Sequence, residues 1–151
     1  MITIEEDVAQ VEARAIIVGR RFHPWEGGEG LVSAQWVVAN RELARAALVE
    51  GDAPTAIARL GDARERPADL GEGRHLLTPE YEVLWLLACA HRAAGDASAA
   101  RVALEAAVVA VTDPALGPVP ADAWRARAMR ELGDVTGAEG LLRAMLRASR
   151  S

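Results

Sequence analysis

The chain contains no lysine: all seventeen of its basic residues are arginine. That bias is the mark of GC-rich coding before it is evidence of a mechanism. Cysteine is almost as scarce, with Cys89 alone, so an internal disulfide framework is excluded and a reducing, cytoplasmic setting is expected. Aromatic residues make up only 4% of the chain. No apolar run approaches the ~18 residues of a membrane span, and no charged-then-apolar signal opens the sequence. Neither a membrane nor nucleic acid is an expected partner, the second because the formal net charge is −5.

What is present is a sequence that repeats itself. Glu-Gly-Asp-Ala-Pro-Thr-Ala at 50–56, Ala-Gly-Asp-Ala-Ser-Ala-Ala at 94–100 and Leu-Gly-Asp-Val-Thr-Gly-Ala at 132–138 each close one apolar helical run and open another. Glycine ends a helix in the left-handed conformation without steric cost, and the Asp after it is a good N-cap. A small residue one turn later (Ala56, Ala100, Ala138) lets two antiparallel helices approach closely. The glycines Gly51, Gly95 and Gly133 stand 44 and 38 residues apart, the spacing of helical-hairpin repeats.

The remaining segments fit that scheme. Residues 3–19 read as an N-terminal capping helix, with a Thr3/Glu6 capping box and a stripe of Ile4, Val8, Val11, Ala15 and Val18. The loop from 21 to 31, with Gly27, Gly28 and Gly30, invites comparison with a phosphate cradle. It lacks P-loop or dinucleotide spacing, has no lysine and carries Glu26 and Glu29, so it reads as a connector. Three hairpins are then expected at 34–66, 79–112 and 121–149. Thr78 should cap a helix with Pro79 at its first position, and the Gly-containing linker 67–78 should separate the first two hairpins. One all-α domain of about seven helices, spanning 1–151, is the expected fold.

These hairpins resemble tetratricopeptide repeats over about residues 34–149. The resemblance lies in the turn glycines, the small residues Ala56, Ala100 and Ala138, and the large apolar residues Leu60, Leu104 and Leu142 one turn later. Ala63 and Ala107 extend the match, where the third unit has Met145. The early aromatic of the family's first helix is out of register, the small residue there is Ala (Ala44, Ala88, Ala126), and the period is longer than usual. Longer, aromatic-poor repeats are similar to those of MalT-like bacterial regulators. The resemblance implies a right-handed stack of hairpins, an α-solenoid, whose first helices line a concave groove and bind proteins or peptides.

Placing Leu43, Ala44 and Ala47 inward leaves Arg41 and Arg45 on the groove side. The same register exposes Trp85, Cys89 and Arg92 in the second unit, and Arg127 and Arg130 in the third. An arginine-lined groove on an acidic protein suits acidic peptide segments, because the guanidinium fork matches carboxylates. The expected function is therefore a non-catalytic protein- or peptide-binding scaffold. The alternative is a small-ligand-sensing domain of a bacterial transcriptional regulator, closed by the 67–78 segment. No metal, cofactor or catalytic constellation is expected. Cys89 and His91 point apart on one helix, and His23 and His75 lie in loops without ligand partners nearby. The C-terminal hairpin offers more apolar surface than one partner helix needs, so it is expected to meet a second copy or a neighbouring domain.

Overall fold

The computed structural model describes residues 10, 11, 14–17, 30–65, 67, 78–109 and 117–150, and every regular element among them is a helix. They are α1 (helical at residues 10, 11 and 14–17), α2 (Leu31–Glu50), α3 (Ala53–Arg64), α4 (Tyr81–Ala93), α5 (Ala97–Val108), α6 (Asp122–Glu131) and α7 (Val135–Ala148). The chain divides into two compact units, Met1–His75 and Leu76–Ser151. The expected capping box at Thr3 and Glu6, the glycines Gly27 and Gly28, His23, His75, and all of the 67–78 linker but its two end residues lie outside the described residues.

The three Gly-Asp turns share one geometry. Gly51, Gly95 and Gly133 take φ values of 80°, 81° and 94°, the left-handed region that glycine enters freely. Their N–H groups donate to the carbonyls of Leu48, Arg92 and Arg130 at 3.2, 3.0 and 3.1 Å. The N–H groups of Asp52, Asp96 and Asp134 reach one residue further back, to the carbonyls of Ala47, His91 and Met129, at 2.8, 2.9 and 2.9 Å. This pair of bonds is the Schellman closure, and it satisfies carbonyls that the helix end leaves bare. Each Asp carboxylate then accepts the N–H three residues on, from Thr55, Ala99 and Gly137, at 3.1, 2.8 and 2.9 Å. For Asp52, hydrogen bonds from the Thr55 side chain and then from its backbone N–H hold the carboxyl below its ordinary pKa, because they favour the ionised form.

The first unit pairs α2 with α3. Ala44 and Ala47 of α2, and Ala56, Leu60 and Ala63 of α3, are all buried, so small residues set a close helix–helix distance. Above them α1 is tied to the hairpin through Arg14. Its Nε donates to Asn40 Oδ1 at 3.0 Å, its Nη2 to Asp62 Oδ2 at 2.8 Å, and its guanidinium lies 5.1 Å from the centre of the Trp36 ring. Trp36 is itself buried against Ile17 and Val32, and its indole N–H donates to the carbonyl of Asp62 at 2.7 Å. A buried indole placed this way has both its apolar body and its polar edge satisfied.

The second unit holds two hairpins, α4–α5 and α6–α7, and α6 packs against both α4 and α5. Leu84, Ala88, Ala103, Leu104, Ala107 and Ala128 form its core, flanked by Trp85, Leu87, Val108 and Leu132. Arg125 joins the hairpins, its Nε donating to the Val108 carbonyl at 2.8 Å near the end of α5. The same guanidinium stands 3.7 Å from Asp122, a buried carboxylate whose other oxygen accepts the Val119 N–H at 2.9 Å and starts α6. In α7 only Ala138 is buried, while Leu141, Leu142 and Met145 are half-buried and Leu146 is exposed.

The element ends depart from expectation by two or more residues in four places. Helix α3 stops at Arg64, before 66, and α5 at Val108, before 112, because Glu65 and Val109 turn to extended backbone. The other two are helix starts. Helix α2 starts at Leu31, three residues before 34, because the Gly30 carbonyl already accepts the Ala34 N–H at 2.8 Å. Helix α4 starts at Tyr81, not at Pro79. Glu80 sits at φ −105°, ψ 16°, outside the helical basin, so Thr78 stands too far upstream to cap. The ladder begins with Leu84 N–H to Glu80 O at 2.9 Å.

Candidate functional site

The first-helix register places the candidate residues at fixed distances before each turn glycine. Arg45, Cys89 and Arg127 are each six residues ahead of theirs, and Arg41 and Trp85 are each ten ahead. Steps of three and four put such positions on one helix side. Arg41 and Arg45 belong to the first unit and the other five to the second.

In the first unit both arginines are already engaged. Arg41 Nε donates to Glu42 Oε1 at 2.8 Å, and Arg45 Nε stands 3.6 Å from the same oxygen. Their side chains are only partly exposed, so Glu42 neutralises much of what this end could offer an anion.

The second unit is different. Trp85 from α4 and Arg127, Arg130 and Glu131 from α6 line one open cleft of about 500 Å³. That volume lies within the ~300–1,000 Å³ range of ligand pockets, so it suits a few side chains and not a whole helix. Helix α6 supplies the charges because Ala126 and Ala128 face the core and turn the intervening Arg127 outward. The Arg127 guanidinium is steadied over the Trp124 ring at 4.6 Å, a cation–π arrangement that leaves its N–H edges available. Arg130 forms no ion pair among the described residues. Arg92 Nη1 reaches from α4 to Glu131 Oε2 at 3.1 Å, an exposed pair linking the two first helices of this unit.

Glu131 is not among the residues that the sequence singles out. Glu131 follows Arg130 directly and stands four residues after Arg127, so its charge beside that of both arginines was visible. Its pairing with Arg92 was not, because that depends on how α4 and α6 pack.

No protein-family model matches the chain, and no solved structure matches it with statistical significance. Among the described residues no three His, Cys, Asp or Glu side chains come together as a metal-holding group. No helix among them is long and apolar enough to cross a membrane.

Cys89 is half-buried beside this cleft. Burial pushes its thiol above the ordinary pKa; Arg92 and Arg127 pull it down, and Glu131 adds to the rise. Only the thiolate is nucleophilic. The rate of alkylation by iodoacetamide should therefore inflect at higher pH for the folded chain than for the same chain in denaturant. An inflection at or below the unfolded value would mean that the guanidiniums, and not burial, govern this thiol.

Proposed function

We propose that the chain is a non-catalytic, cytoplasmic scaffold built from tetratricopeptide-like hairpins in a right-handed stack, and that its second unit grips an acidic peptide segment. The supporting observation is the cleft itself: two guanidiniums on α6, neither with an ion-pair partner among the described residues, beside the apolar ring of Trp85. A guanidinium donates two parallel hydrogen bonds to a carboxylate, and an aromatic wall supplies contact area at low entropic cost. The open form of the cleft fits a segment passing through it better than an enclosed metabolite.

The test is a titration of a labelled acidic peptide at two ionic strengths. Arg130→Glu should weaken binding by about tenfold or more, since a charge-assisted hydrogen bond contributes ~1.5–3 kcal/mol. Arg143→Glu alters net charge equally, but Arg143 sits on α7 and is paired with Glu139 at 3.1 Å. It should leave binding nearly unchanged. Equal losses in the two variants would reduce the effect to bulk charge and end the assignment.

A further inference from the structure

The cleft holds both signs of charge, and this goes a step further than a preference for acidic ligands. Arg127, Arg130 and the Glu131 carboxylate line it together with Trp85. Glu131 is engaged by the chain through one oxygen only. Arg92 occupies Oε2 at 3.1 Å, and Oε1 has no hydrogen-bond partner among the described residues. A carboxylate offers about four acceptor positions, so Oε1 remains open to a further donor. Its side chain is 42% exposed, so a ligand can reach it without unfolding the helix end.

A ligand carrying only negative charge meets Arg130 favourably and Glu131 unfavourably. A ligand with a base beside its acid meets both favourably. We propose that the cleft selects a peptide segment of mixed charge. An acidic side chain pairs with Arg130, an apolar side chain lies on Trp85, and a lysine or arginine donates to Glu131 Oε1. The proposal rests on the peptide-binding reading above. It makes Glu131 the residue that separates acidic–apolar–basic segments from wholly acidic ones, because like charges brought together at an interface count against the wrong partner.

The experiment uses the whole chain and three acetylated, amidated peptides on one Gly-Ser background, centred on Glu-Leu-Lys, Glu-Leu-Gln and Glu-Leu-Glu. Affinities are measured by calorimetry for the wild type, Glu131→Gln and Arg130→Gln. The expected order is Glu-Leu-Lys, then Glu-Leu-Gln, then Glu-Leu-Glu. Each step should be about two- to fivefold, the range of an exposed ion pair. Glu131→Gln should erase the advantage of the lysine peptide and improve binding of the doubly acidic one. Arg130→Gln should weaken all three together. A circular-dichroism melt of Glu131→Gln confirms that the α6 end is intact. If the peptides bind in an Arg130-dependent way without the expected order, or if Glu131→Gln leaves the order unchanged, the mixed-charge proposal is overturned and the acidic-peptide reading stands. If none of the three binds, both fall.

Discussion

Trp36→Ala should lower the stability of the first unit by about 3–5 kcal/mol, the range for deleting a buried aromatic side chain. Trp36 is 3% exposed and does two jobs at once. Its ring fills the space between Ile17 and Val32, and its N–H satisfies the Asp62 carbonyl at 2.7 Å. The guanidinium of Arg14 also rests against it. Trp36→Phe keeps most of the volume and loses the hydrogen bond, so its cost should be about 1–3 kcal/mol, that of leaving one buried acceptor unpaired. Hydrogen exchange of peptides from α2 and α3 measures the unit directly, without assuming that the whole chain unfolds in one step. Equal protection in wild type and Trp36→Ala would show that this ring does not hold the unit together.

Leu60→Ala should cost about 2–5 kcal/mol, because the side chain is fully buried between small residues that have little room to collapse into the gap. Leu142 occupies the same register position in the third hairpin, nine residues after its turn glycine, as Leu60 does after Gly51. It is only half-buried, so Leu142→Ala should cost less than half as much. The comparison is informative because sequence, register and secondary structure are matched, and only the covering differs. Denaturant melts of the two variants decide it. Equal losses would mean that the apolar side of α7 is covered in solution and that the isolated chain gives the wrong environment for Leu142.

The repeated turns were legible to the residue. Gly51-Asp52, Gly95-Asp96 and Gly133-Asp134 each form the expected left-handed stop and side-chain cap, since both depend on bonds spanning only a few residues. The small residues after each turn are buried as the register required, at Ala56, Ala100 and Ala138. The helix starts at Leu31 and Tyr81 were less legible. At Tyr81 a capping motif was present, but the backbone of Glu80 did not adopt the conformation that would let Thr78 use it.

The candidate site was legible only as positions. Sequence spacing alone put Trp85, Cys89 and Arg92, and likewise Arg127 and Arg130, on one side of their helices, because a period of 3.6 residues fixes direction. It fixed the hairpins for the same reason: turns, caps and stripes are local. Arg41 and Arg45 meet Glu42, and Arg127 meets the Trp124 ring, within three residues on their own helices, contacts that helical spacing already allows, while Arg130 makes no ion pair among the described residues. Only the tertiary structure gave Arg92 its partner, Glu131 on another helix. The same is true of Arg14, which finds Asn40 and Asp62 at 26 and 48 residues' separation. Whether a charged side chain is satisfied depends on what the packing of distant segments brings within about 3 Å of it, and helical periodicity carries no information about that distance.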